Sequence, residues 1–168
     1  MPFNLLKTYN QLLELAGFNE HQRRQSLMGI FDRDFTNNPD LRFRNIQITP
    51  TPQDGAIEMA TLFTHLTTMI VDKATRAREF DIHRSLRLHW VRFHIDCRKQ
   101  EDMLHFSVKE PEGIRTYIYD ISEKYVVVLE PKPAQNVYFL LTAYHLQGKD
   151  SQRDKILRKY KRRLNEIH

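Results

Sequence analysis

Four runs decide how this chain folds: Met103-Leu-His-Phe-Ser-Val108, Arg115-Thr-Tyr-Ile-Tyr-Asp120, Tyr125-Val-Val-Val-Leu-Glu130 and Val137-Tyr-Phe-Leu-Leu-Thr-Ala-Tyr-His145. Each is rich in the β-branched and aromatic residues that fit a pleated surface. Between them lie Glu110-Pro-Glu-Gly113, Ser122-Glu-Lys124 and Pro131-Lys-Pro-Ala-Gln-Asn136, which are turn material. Links this short join antiparallel neighbours, so the expected topology is a four-stranded antiparallel β-meander. Tyr125–Leu129 and Phe139–Leu141 are apolar at every position, as strands covered on both faces are.

Upstream of these runs the spacing is helical. Leu5, Leu6, Tyr9, Leu12, Leu13 and Ala16 predict a first helix that Gly17 stops. Asn19 caps a second, with Leu27, Ile30 and Phe31 as its apolar side. Leu41–Ile48 alternates as a short strand, and Thr49-Pro-Thr-Pro-Gln-Asp-Gly55 punctuates the chain as a loop or boundary. Ile57, Ala60, Phe63, Leu66, Met69 and Ile70 then predict an amphipathic helix to about Asp72, flanked by His65 and His83, both read as structural or solvated. A last helix over 151–167 groups Ile156, Leu157, Tyr160 and Leu164 on one face and basic residues on the rest. The expectation is a single α+β domain: a helical N-terminal half packed on the meander, followed by a basic C-terminal helix. Residues 1–55 form the helical portion and 56–168 the helix-plus-sheet core.

The 168 residues suffice for one well-packed core. The net charge of +5 is concentrated: from Lys149 onward there are eight Lys/Arg and three Asp/Glu, whereas the preceding residues hold eighteen of each. Such a patch favours polyanions, nucleic acid first and an anionic membrane surface second. No run approaches the roughly 18 apolar residues of a membrane span, and Met1–Lys7 lacks the pattern of a secretory signal. Cys97 is the one cysteine, so no internal disulfide forms and a reducing cytoplasm is the expected compartment.

The chemistry-bearing residues crowd into Arg84-Ser-Leu-Arg-Leu-His-Trp-Val-Arg-Phe-His94, which holds three arginines, two histidines and the only tryptophan. Leu86, Trp90, Phe93 and Cys97 fit a helix, while Val91, Phe93 and Ile95 also fit a strand; helix is favoured because Leu86, Leu88 and Trp90 occupy the wrong face for a strand continuing into Val91. Guanidinium groups are forked donors suited to phosphate oxygens, and imidazole moves protons at neutral pH. An amphipathic helix that buries Leu86, Trp90 and Phe93 and leaves its bases in water has the same spelling. Metal-free phosphodiester cleavage needs a base for the 2′-hydroxyl and cations for the charge on phosphorus. His89 or His94 supplies the base, Arg92 or Arg115 the charge, and Thr142 or Tyr144 an oriented hydroxyl, provided that the 84–94 segment faces the Thr142 strand. Thr142 reads more readily as a hydroxyl bonded across the ladder. His94-x-x-Cys97 with His89 leaves a tetrahedral zinc set incomplete, no G-x-S-x-G turn exists, and no glycine-rich phosphate loop is present. No metal or cofactor is expected.

The element order, with Arg84, Arg87, His89-Trp-Val-Arg92 on a helix, the Tyr125–Glu130 strand and Tyr138-Phe-Leu-Leu-Thr-Ala-Tyr144, resembles the barnase–EndoU–colicin–RelE superfamily, in its phage- and mobile-element-associated branch. The resemblance covers about residues 80–148. It implies a helical part on a four-stranded sheet and metal-independent endoribonuclease activity. It places the helix His and Arg at His89 and Arg92, the last-strand hydroxyl at Thr142, and a further cation at Arg115 or Lys109. The leading expectation is therefore an RNA-cleaving protein of phage or toxin type, with His89, Arg92, Arg115, Thr142 and Tyr144 in its site. Arg84, Arg87, Arg158, Lys159, Arg162 and Arg163 would hold the RNA backbone, and a neutralising protein partner would accompany a toxin. The alternatives are a non-catalytic nucleic-acid- or protein-binding module of a mobile element, and a structural or assembly protein.

Overall fold

Strands β5 (Met103–Glu110), β6 (Gly113–Asp120), β7 (Tyr125–Lys132) and β8 (Val137–His145) pair in sequence as antiparallel neighbours. The computed structural model describes residues 2–148 and 150–168; Lys149, the first residue of the basic terminal stretch, lies outside the described residues. The sheet, however, is not a four-stranded meander under a helical N-terminal half. It has six strands in the order β1-β2-β8-β7-β6-β5, where β1 is Arg42–Phe43 and β2 is Ile46–Pro50. β2 pairs with β8 in parallel, Gln47 opposite Val137 through Pro50 opposite Leu140. The N-terminal portion thus supplies two strands.

The single strand expected over 41–48 is a hairpin. Its turn residues Arg44 and Asn45 both have positive φ, 52° and 65°. Two such residues make the turn type whose twist matches paired strands, but glycine usually marks it, and none is present here. The first predicted helix is absent. A 3-10 turn at Pro2–Leu6 gives way to irregular chain through Asn10 (φ 69°), while Leu13 and Leu15 are buried and Leu5, Leu6 and Leu12 are exposed. The Asn4 carboxamide holds this segment by bonding both the N–H and the carbonyl of Glu14 and the Ser26 hydroxyl. The second helix, α1 (Glu20–Phe31), begins at Asn19, whose side chain accepts from the Gln22 N–H while the Gln22 side chain accepts from the Asn19 N–H. This reciprocal pair satisfies two donors at the helix start.

The helix expected to reach Asp72 stops early. α2 covers Met59–Thr67, and Thr68 turns extended (φ −130°, ψ 165°). β-Branched residues then favour a strand: β3 (Thr68–Asp72) pairs with β4 (Ala77–Phe80) in a hairpin separate from the main sheet. The Arg84–His94 helix is two pieces, α3 (Ile82–Ser85) and α4 (Leu88–Ile95), with Arg87 non-helical between them (φ −116°, ψ 19°). The last helix, α5, spans Asp150–Lys161, shorter than expected.

The sheet is covered on both faces. One core joins Ile30, Phe31 and Phe35 to Trp90, Val91 and Ile95 of α4 and to Ile118, Val127, Leu129 and Leu140 of the sheet. The other places Ile156 of α5 on Phe106, Val108, Tyr117, Val126 and Val128. After α5 the chain crosses the outer strand, where the Leu164 N–H donates to the Ser107 carbonyl. That bond occupies part of an otherwise open edge. Among the described residues no helix is long and apolar enough to cross a membrane.

Candidate functional site

The residues expected to act together are divided by the sheet. Thr142 lies opposite Val128, Tyr144 opposite Val126 and Arg115 opposite Val108. Directly opposed residues share a face, and these valines belong to the α5 side. His89 and Arg92 sit on α4, on the other side. The condition that the 84–94 segment bring His89 to Thr142 is therefore not met; Arg84 alone makes that contact.

His89, Arg92 and Arg115 of the expected set also have structural tasks, whereas Tyr144 lies beneath the Arg84 guanidinium at 5.8 Å. His89 is 5% exposed, and its Nε2 lies 3.1 Å from the Thr8 carbonyl. A carbonyl only accepts, so Nε2 carries the proton, and burial pushes the imidazole pKa down. Arg92 donates to the carbonyls of Asp34, Asn38 and Asp40 and pairs with Asp96, so it pins the chain leading into β1. Arg115 pairs with Glu130 at 2.8 Å. His94, the other candidate base, is fully buried against Asp120 at 2.9 Å, with its Nδ1 on the Trp90 carbonyl. Asp120 also accepts from Tyr9 and from Lys99. Burial opposes ionisation there, but bonds from His94, Lys99 and Tyr9 hold the carboxyl far below the usual carboxylate range. This is a buried ionic knot tying the N-terminal segment, α4 and β6.

Of the expected backbone-binding residues, Arg158, Arg162 and Arg163 are exposed, with Arg163 over the Tyr160 ring at 4.1 Å. Lys159 is committed to Glu110. Arg87 donates to the His83 carbonyl and lies over Trp90. No group of three or more His, Cys, Asp and Glu among the described residues is placed to hold a metal ion.

A different set converges. α2, the β3–β4 hairpin, α3 and β8 enclose a cleft lined by His65, Ile70, Arg76, Arg78, Arg84 and Thr142. The cleft forms because β2 ends opposite Leu140, so β8 beyond that residue has no strand on this side and α2 and α3 pack there instead. Within the hairpin, Arg78 of β4 donates to the hydroxyl and carbonyl of Thr68 at the start of β3, at 2.7 and 2.9 Å, and the Thr68 hydroxyl donates to the Thr64 carbonyl of α2. Arg84 joins the opposite walls by donating to the His65 carbonyl (3.2 Å) and to the Thr142 hydroxyl (2.9 Å). Asp81, 3.3 Å from Arg84, pairs with it at the back. Among the described residues neither Arg76 nor Arg78 has a carboxylate partner, and no carboxylate lines the cleft.

The electrostatic signature is excess positive charge. Burial, then Arg78, Arg84 and Arg76, lowers the pKa of His65, and burial, then Arg84 and Arg76, lowers that of Arg78. A neutral imidazole beside guanidinium groups and a hydroxyl is suited to an anion and to taking a proton from it. Arg84 and Thr142 were legible as candidates. His65, Arg76 and Arg78 were missed, because their stretch reads as helix and its end rather than as a hairpin folded over a helix. Arg76-Ala-Arg78 was the available signal. No family model, no curated protein and no solved structure matches the chain.

Proposed function

We propose that the protein acts on RNA through this cleft: the arginines seat a phosphodiester, and His65 takes the proton of the adjacent 2′-hydroxyl. The O2′ atom then attacks phosphorus, the 5′-oxygen departs with a proton from water, and a 2′,3′-cyclic phosphate remains. The single observation carrying the reading is the convergence of Arg76, Arg78 and Arg84 on His65 and Thr142 with no carboxylate among the lining residues. Fixed cations aimed at developing charge stabilise a transition state more than side chains that must reorganise. The reading keeps the metal-independent chemistry implied by the resemblance to the barnase–EndoU–colicin–RelE superfamily, but moves the base from His89 to His65. A reducing cytoplasm, suggested by the lone Cys97, is part of the proposal. A neutralising protein, if the protein is a toxin, would cover this cleft.

A second reading, binding without turnover, is favoured by one observation. His65 is the one imidazole or carboxyl among the described residues lining the cleft, so the leaving oxygen has no side-chain acid there. Incubating RNA with the wild type and with His65→Ala in excess EDTA separates the two. Cyclic-phosphate ends formed by the wild type and lost in His65→Ala, with RNA affinity retained, support cleavage. RNA bound by both proteins but left intact selects the binding reading. RNA neither bound nor cut refutes both.

A further inference from the structure

The cleft continues past His65 into a second hollow of different chemistry. This hollow, about 620 Å³, shares His65, Ile70, Arg76 and Arg78 with the first, and its remaining wall is Thr51, Pro52, Gln53, Ala60, Thr61 and Thr64. One half of the trough is cationic, and the other is neutral, with amide and hydroxyl groups beside small apolar surfaces. A polyanion alone would be served by cations throughout. A neutral bay next to a phosphate seat suits the uncharged part of a nucleotide.

Gln53 is held for such a role. It begins a tight turn in which Asp54 and Gly55 both have positive φ, 51° and 79°. The turn is closed by Gln53 N–H to the Ala56 carbonyl (2.8 Å) and Ala56 N–H to the Gln53 carbonyl (2.9 Å). Asp-Gly is the dipeptide that this geometry favours, so the turn is locally rigid. The Thr61 hydroxyl makes a long contact to Gln53 Oε1 at 3.4 Å, and among the described residues the Gln53 Nε2 hydrogens have no protein acceptor. The Thr64 and Thr51 hydroxyls donate to backbone carbonyls, at 3.0 and 3.3 Å, so they offer the bay acceptor lone pairs.

We infer that this hollow is a nucleoside bay that holds one unpaired base beside the seated phosphate, with Gln53 Nε2 donating to a ring carbonyl. Bases with an exocyclic carbonyl on the outer edge, uracil and guanine, are preferred over adenine and cytosine, which present an amino donor there. Unpaired bases are read on these edges in single-stranded RNA. The bay favours single strands, since a paired base has already used that edge. The inference rests on the proposed phosphate seat.

The test is fluorescence anisotropy with short oligouridylate, oligoadenylate and oligocytidylate, and with inorganic tripolyphosphate as a base-free competitor. Wild type is expected to bind oligouridylate about 3- to 10-fold more tightly than the other two, the range of one hydrogen bond. Gln53→Ala, at an exposed position, should erase that preference and leave competition by tripolyphosphate unchanged. Equal binding of the three oligomers by wild type, or a preference that survives Gln53→Ala, overturns the bay. Tripolyphosphate that fails to compete overturns the phosphate seat and the bay with it.

Discussion

Replacing Arg76 and Arg78 together by glutamine tests the cleft most directly. Arg76 is exposed and, among the described residues, the Arg78 side chain is bonded only to Thr68, so the change removes charge while leaving the cores untouched. Binding a single strand through Z phosphate contacts gives an affinity that falls with log salt at a slope of about −0.7Z. Three guanidinium groups contribute about −2.1 to that slope, and the double variant retains about −0.7 from Arg84. Between about 50 and about 200 mM salt these arginines cost the wild type about 18-fold in affinity and the double variant about 3-fold. Whatever the rest of the surface adds, the difference in slope is about 1.4. Anisotropy titrations of a labelled oligoribonucleotide across that salt range measure it. A slope that does not move refutes the seating of phosphate at this cleft. A slope that moves only when Arg158 and Arg162 are replaced would transfer the contact to α5.

Three further outcomes follow from the side-chain environments. Asp120→Asn removes the buried carboxylate that accepts from His94, Tyr9 and Lys99, leaving Lys99 without its counter-charge, and should cost about 3–5 kcal/mol, seen by urea unfolding; a loss under about 1 kcal/mol would mean that the knot is not ionic. In wild type, the depressed pKa of Asp120 makes its contribution present above the usual carboxylate range and lost as pH falls into the acid limb. His65, whose folded pKa is lowered, should titrate below 6.5 in an NMR pH series. Because the unfolded chain takes that proton more readily, this group lowers stability as pH falls through 6.5, and Arg78→Ala should raise its pKa. Arg92→Ala should cost about 3 kcal/mol through the lost bonds to the Asp34, Asn38 and Asp40 carbonyls. Its RNA affinity, measured at a temperature where the variant is folded, should stay unchanged; a large loss would return Arg92 to the phosphate site.

The six-stranded sheet shows what local spelling carries. Four strands were legible because alternation and turn residues are local, and their neighbours follow one another in sequence. The β2–β8 pair was not, since parallel partners about ninety residues apart leave no mark in either segment. Leu5, Leu6, Leu12 and Leu13 have helical spacing, yet the chain there is tied by Asn4 to Glu14 and Ser26, so tertiary bonds override the period. Met69 and Ile70 extend the helical pattern of α2, but in the structure they pair with Glu79 and Arg78 across the β3–β4 hairpin.

By itself the sequence determined the α+β character, the strand runs of the C-terminal half, the Asn19 cap and the stock of arginines and histidines. Each of these depends on side-chain type and on neighbours within a few positions. Which of those arginines are free was decided only by the tertiary structure. Arg92 is tied to carbonyls more than fifty residues away and Arg115 is paired with Glu130, whereas Arg76 and Arg78 come to lie around His65 with no carboxylate partner among the described residues. Charge is a property of a residue, but its neutralisation is a property of the space around it.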